Sequence, residues 1–438
     1  MALDFKHASL VEGVRFTAQV GVPNVVQGLF RKREVVVSSL GKLPGDHLAY
    51  RLVEGLEKKY GPDPFWVRVG GDEALLVTHP DDLKVVLGGS PSPFASDPDA
   101  KRKGMAAFQP DALTISRGDL WADRRAFAEA VLETGNPTHT LARGFAVQSV
   151  AAADGLMSLG RAATFDDVNK AFQRLTRIVV FGAEAADDAS LTEQLGDLMS
   201  AGNKMPGKPA DGYADFHARI KEYVDNPDPA ALTGLIAGAP QSAGTDVPGQ
   251  LIHWLFAMGD TLPANLMRAL AVLATHSKVL GVARSEVAGK DLTDVETVAG
   301  STYLAGCILE AMRLWPTTAL FGRVQAEEVR WANGQKTPAG TQVLIHNLFN
   351  HRNRARVPYA DRFSPEEWVS GDASDDWRFN FFSHGPQGCP GAGLSIFLGQ
   401  AFLGRLIARG EPKLAAGPRL RPEQLPYAID IYGVEIRL

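Results

Sequence analysis

From residue 117 to about residue 315 the sequence presents one helical pattern after another, at 117–133, 140–158, 165–182, 189–202, 209–226, 247–276, 277–288 and 300–314. Such a succession narrows the architecture sharply, because each amphipathic segment must bury its apolar stripe against neighbouring helices. The two ends read differently. Residues 45–60 form a further helix, followed by the strand-like runs PFWVRVG and EALLVTHP, and Pro80-Asp81-Asp82-Leu83 opens a short helix by proline and acid. After Arg323 come strand candidates VQAEEVRW and QVLIHN, a turn-rich meander over 351–380, a helix from about 391 to 409, and a tail, LPYAIDIYGVEIRL, that alternates like a hairpin. Residues 90–115 are rich in turn formers and mixed charge, which predicts a long surface connection, and 227–249 is the most linker-like stretch of the helical half. The fold class is mainly α with small β-sheets. No internal repeat and no break in composition divides the 438 residues, so the expectation is one domain over 1–438.

An apolar fraction of 45%, a charged fraction of 22% and a net charge of -5 describe ordinary globular material with no basic footprint for nucleic acid. Two cysteines, Cys307 and Cys389, are too few for a disulfide framework and point to a reducing compartment. Residues 9–31 come nearest to a signal or anchor, but Glu12, Arg15, Gly21, Pro23 and Asn24 interrupt them. No stretch reaches the roughly 18 uninterrupted apolar residues of a membrane span. The expectation is a cytoplasmic protein with no membrane anchor.

One of the two cysteines lies in the stiff loop FFSHGPQGCPG, 381–391, just before the helix GAGLSIFLGQAFLGRLIARG. A helix start offers unpaired N–H groups and a positive dipole end, conditions that favour a thiolate at Cys389. Gly385, Gly388 and Gly391 let the backbone pass close to a flat partner, and Phe382 stands where it can shield the sulfur. Two readings fit the loop: a thiolate that ligates iron, or an inert buried cysteine at a helix start. Zinc is disfavoured, since no second cysteine stands at ligand spacing.

Three other constellations have the same double character. Glu310 and Arg313, three apart in STYLAGCILEAMRLWP, share a helix face, as an ordinary surface pair or as something more. Trp121 and Arg125, four apart in DLWADRRAF, bring together an indole N–H and a guanidinium. They suit either an anionic group or a plain amphipathic helix. In LIHWLFAMGDTLPANLMRALAVLATH, Pro263 withholds the N–H that the Gly259 carbonyl needs, so the helix should kink or open beside Asp260 and Thr261.

Taken in order, these residues resemble the marks of the cytochrome P-450 family, in its bacterial-type soluble form. Phe382, Gly385, Cys389 and Gly391 resemble its haem-thiolate loop F-x-x-G-x-x-x-C-x-G. Glu310 and Arg313 resemble its E-x-x-R pair, Trp121 and Arg125 its W-x-x-x-R pair, and Ala257 to Thr261 its A/G-G-x-D/E-T motif. The resemblance implies a triangular helical prism with haem between the central helix and the cysteine helix. It places a β-containing part at about 1–90 and 317–370 and a helical part at about 91–316 and 391–410.

It further implies haem b ligated by Cys389 and bound by Trp121, Arg125, Ala257, Arg323, Phe382 and Gly391. Asp260 and Thr261 then manage protons for dioxygen, and Glu310 with Arg313 braces the region behind the haem. The implied reaction is monooxygenation of a small apolar organic substrate, a hydroxylation or an O- or N-dealkylation. Its two electrons come ultimately from NAD(P)H through a separate reductase and a ferredoxin or flavodoxin-like donor, docking on the cysteine side where Arg124 can contribute. The protein is expected to be a monomer. Candidate pocket walls are Phe94, Met105, Phe108, Phe256, Met258, Ala319, Leu320 and Ile429.

The sequence departs from the family pattern at four places. Met258 replaces a glycine, Glu367 stands where the meander arginine belongs (Arg354, Arg356 and Arg362 being the available substitutes), Gln387 replaces a basic residue, and Asn353 follows His351-Arg352 in place of an acid. His351, Arg352 and Cys307 are read as structural. The runner-up functions are peroxide-driven oxidation by the same centre and haem sensing without turnover.

Overall fold

The structure is a computed structural model that describes residues 4–41 and 43–438. Its helices follow the expected series closely, including Gly45–Tyr60, Gly118–Val131, Phe165–Phe181, Thr302–Leu314 and Ala392–Arg409. The mainly α class with small sheets holds. Helix Phe165–Phe181 shows why the pattern was readable. Thr164 and Asp167 form a capping box at its start, and Phe165, Val168, Phe172, Leu175 and Val179 bury one stripe.

The central element runs as Val247–Phe256, a π turn at Ala257–Thr261, and Leu262–Leu273. Its second half is buried along almost every residue, which places it at the heart of the helical layer. The cysteine helix, Ala392–Arg409, crosses it closely: a side chain at Gly399 would collide with Ile308 and press on Leu266. Strands from both ends of the chain share one sheet, in the order Phe65–Val69, Asp72–Val77, Gln342–His346, Leu320–Gln325 and Phe94–Ala95. The pairing of Asp72–Val77 with Gln342–His346 is parallel, and the other pairs are antiparallel.

Three local expectations need correcting. Residues 90–115 are no surface loop: Phe94–Ala95 pairs with Val324 and Gln325, Asp99–Met105 is helical, and Phe94, Met105 and Phe108 are buried. The prolines and serines there punctuate short ordered pieces, each anchored by an apolar side chain. Residues 227–249 likewise pack inward, with Leu232 and Thr233 buried in a short 3-10 turn. The tail is not a hairpin. Asp430 caps a 3-10 turn at Tyr432, and Glu435–Arg437 alone forms a strand, paired with Lys413–Ala416 and Ala163–Thr164. Among the described residues no single helix is long and apolar enough to cross a membrane.

Candidate functional site

The cysteine loop is wound tightly by its own backbone. Cys389 N–H donates to the Phe382 carbonyl at 2.7 Å, and Gly388 N–H to Gly385 at 2.9 Å. Gly385 takes φ of +67°, and a Cβ there would come within 2.7 Å of the Leu87 carbonyl. Gly385→Ala should therefore destabilise the loop by about 1–3 kcal/mol. The expected outcome is a lower urea midpoint and weaker haem retention in dialysis, with helix content by circular dichroism unchanged.

Arg125 holds this loop from the Gly118–Val131 helix, donating Nη1–H to the Gly388 carbonyl at 2.5 Å while Nε pairs with Glu129 at 2.7 Å. Trp121, one turn earlier, is half-buried on the same helix face. Cys389 itself keeps accessible surface. Burial raises its thiol pKa, against the lowering effects of the Gly391 N–H and the Arg125 charge. A metal cation displaces such a proton outright on binding.

The central helix opens where the sequence said it would. Ala257–Thr261 forms a wide π turn next to Pro263, and the Gly259 carbonyl accepts Asn169 Nδ2–H at 3.0 Å from the neighbouring Phe165–Phe181 helix. Gln173 in turn donates to Asn169 at 2.9 Å. Burial pushes the Asp260 carboxyl up, opposed by the Asn169 and Gln173 amides and the Arg31 charge. Asp260 and Thr261 both reach the wall of a cavity of about 820 Å³. Of the eight pocket candidates, Phe256, Ala319 and Ile429 line this cavity. Phe94, Met105, Phe108, Met258 and Leu320 do not line it. Phe94 packs on Trp331, Phe108 on Phe256 and Phe30, and Met258 lies in the main core, while Leu320 packs against the core beneath the sheet.

Behind the loop, Glu310 and Arg313 form a bidentate pair at 2.6 and 2.7 Å with no exposed surface, far from the surface pair that spacing alone allowed. Every remaining donor and acceptor is used. Arg313 donates to the carbonyls of His351, Ala360, Tyr359 and Arg362, and Glu310 accepts Ser364 N–H and Trp368 Nε1–H, both at 2.9 Å. None of the substitutes considered for the absent meander arginine reaches Glu310. Arg354 pairs with Asp361, Arg356 with Glu57, and Arg362 offers its carbonyl to Arg313. The indole of Trp368, adjacent to Glu367, closes the network instead, a partner missed because the expected group was a cation. His351 and Arg352 are fully buried and bonded to main-chain carbonyls, and Cys307 is a core residue, as expected. Arg124 differs: Gly244, Ser116 and Asp111 hold it buried, so it cannot meet a docking partner.

Arg323 supplies a direct test of whether a haem suits this space. It is buried, its guanidinium bonds to the Ser90 and Ser383 hydroxyls and the Gly322 carbonyl, and no carboxylate pairs with it among the described residues. Dehydration pulls it down to about 9. Lys101 bonds to the Ser96 and Thr114 carbonyls within range of Arg323, and burial brings it down to about 7. Two buried cations whose charge is not balanced call for anions from elsewhere. The propionates of a haem are such anions, and Ala257, Phe382 and Cys389 each keep accessible surface. Gln387 leaves its Oε1 buried without a partner. Among the described residues no cluster of three metal-ligating side chains offers a different metal site.

Comparison with known proteins agrees. Residues 244–424 match the family model described as cytochrome P450. The chain is 24% identical over 342 residues to cyclooctat-9-en-7-ol 5-monooxygenase of Streptomyces melanosporofaciens, covering 70% of this chain and 73% of that protein. It is 28% identical over 181 residues to the chloroplastic carotene epsilon-monooxygenase of Arabidopsis thaliana and 29% over 190 residues to cytochrome P450 monooxygenase sphH of Aspergillus fumigatus. Each of these two matches covers 39% of this chain, and they span only 33% and 35% of the relatives' own lengths. Residues 244–424, running from just before the central helix past the cysteine loop, are thus similar to the cytochrome P450 family, and the mainly helical fold with small sheets is consistent with that likeness.

Proposed function

We propose that the chain is a haem-thiolate monooxygenase, with Cys389 as the iron ligand, acting on a small organic substrate with two electrons from an external donor. The observation that carries this reading is the opened turn at Ala257–Thr261, which sets a buried carboxyl and a free hydroxyl on the wall of the cavity. A protein that only held haem would need the cysteine loop and the cationic clamps, with no break in its central helix. The relatives named monooxygenases support the same class.

Bound haem supplies the reduction of dioxygen and the transfer of one oxygen atom. The chain's own residues do the rest. Arg125 fixes the Gly388 carbonyl and with it the course of the loop through Cys389. Arg323 and Trp121 provide donors for the propionates, and Lys101 adds a third. Asp260, its carboxyl pushed up by burial, exchanges protons with the Thr261 hydroxyl and with water admitted by the open turn. From the adjacent helix Asn169 holds the Gly259 carbonyl next to it, and Gln173 in turn fixes Asn169.

The electron donor is a ferredoxin or flavodoxin-like protein reached from NAD(P)H.

The test is spectral and then chemical. Reduced wild-type protein under carbon monoxide should show the red-shifted Soret band of thiolate-bound haem, and Cys389→Ala should lose it. Wild type supplied with a ferredoxin, its reductase and NADPH should consume dioxygen and oxidise a bound substrate. A normal carbon monoxide band in Cys389→Ala, or substrate oxidation that persists undiminished in it, removes the assignment.

A further inference from the structure

The cavity wall carries one group that the proposed reaction does not use. Arg268 lies on Leu262–Leu273, two helical turns beyond Thr261, and lines the same cavity as Asp260 and Thr261. Its Nη1 donates to Asn265 Oδ1 at 3.0 Å and to the Trp315 carbonyl at 2.8 Å, which fixes the guanidinium in one plane. Its Nε is inaccessible yet has no partner, and Nη2 makes no hydrogen bond among the described residues. Nη2 is therefore the corner of the fork left to a ligand, and its two N–H groups can donate to a carboxylate. An inward-facing cation with that corner unused is costly unless something fills it.

The surrounding charges do not fill it. Asp46, on Gly45–Tyr60, lines the same end of the cavity but makes no ion pair with Arg268, and burial raises its carboxyl toward the neutral form. Lys32 lines that end too, so its charge adds to that of Arg268. Phe256, Ala264 and Ile429 supply apolar wall between this end and the opened turn. Seven residues of regular helix separate Thr261 from Arg268, about 10 Å along the axis.

We propose that the substrate is an amphipathic monocarboxylate, its carboxylate held by the free Nη2 of Arg268 and its apolar body extending toward Asp260 and Thr261. This deepens the monooxygenase reading and rests on it. The length of helix between clamp and turn restricts oxidation to carbons on the order of 10 Å from the carboxylate. Arg268 in this role binds and positions substrate and takes no part in the proton steps.

The experiment compares dodecanoate with its methyl ester, which has the same chain and no charge, on the haem-loaded protein. Equilibrium dialysis of the labelled ligands measures affinity directly, and the Soret shift is followed in parallel. Wild type is expected to bind the acid about tenfold or more tightly than the ester, the worth of one charge-assisted pair. Arg268→Gln should bind both alike, and Arg268→Lys should restore part of the preference, with the carbon monoxide band unchanged in both variants. Equal affinity of wild type for acid and ester overturns the proposal, as does failure to bind dodecanoate or a preference that survives in Arg268→Gln. Loss of the carbon monoxide band in wild type would instead count against the monooxygenase reading. The acid and ester comparison in wild type stands even if a variant does not fold.

Discussion

Glu310→Ala is expected to yield little or no folded, haem-containing protein. The substitution leaves Arg313 charged, fully buried and stripped of both carboxylate contacts, and it orphans the Ser364 N–H and the Trp368 indole as well. Breaking one partner out of a buried pair costs about 3–5 kcal/mol. Set against a total stability of about 5–15 kcal/mol, that is a large share. Trp368→Phe grades the effect: it keeps the ion pair, removes one donor to a charged oxygen, and should cost about 1.5–3 kcal/mol. Urea midpoints and Soret absorbance per unit of protein would rank the three proteins as wild type, then Trp368→Phe, then Glu310→Ala. If Glu310→Ala folds as well as wild type, the network described around Arg313 does not hold this region together.

The second large effect is expected at the opened turn. Asp260→Asn keeps the shape of the side chain and removes its proton exchange, so coupled product formation should fall by about 10² to 10⁴-fold. Thr261→Ala removes the hydroxyl at the other end of the same exchange. In it, NADPH consumption should continue while product falls and hydrogen peroxide accumulates. Substrate affinity, read from dialysis, should be unchanged in both. Parallel losses of NADPH consumption and product, with no peroxide, would place the defect in electron delivery and remove the proton role.

The readable parts of this chain were those governed by local chemistry. Pro263 withholds a donor wherever it sits in a helix, so the opening at Ala257–Thr261 followed from one residue type. Periodicity marked Phe165–Phe181 because its apolar stripe faces a core on one side. The cysteine loop was legible from the spacing of its glycines, and Gly385 adopts the left-handed backbone that only glycine takes cheaply.

What stayed hidden depended on partners distant in sequence. Trp368 meets Glu310 across 58 positions, and nothing in FSPEEW distinguishes a buried indole from an exposed one. Lys101, inside the basic run 101–103, turns inward to carbonyls on both sides of its own helix, a contact no local pattern announces. Arg268 drew no notice because an arginine on an apolar helix usually reaches solvent.

The wide turn at Ala257–Thr261 also acts as a phase shift. Twelve residues separate Phe256 from Arg268, and at about 100° per residue an unbroken α-helix would set them about 120° apart. Both nonetheless line the same cavity, since a π turn holds an extra residue and winds its length less tightly. Deleting a single residue from 257–261 would therefore be felt far down the helix, swinging the guanidinium toward the packed interior. The break that exposes the proton donors is, by the same geometry, what aims the far end of the helix at the ligand.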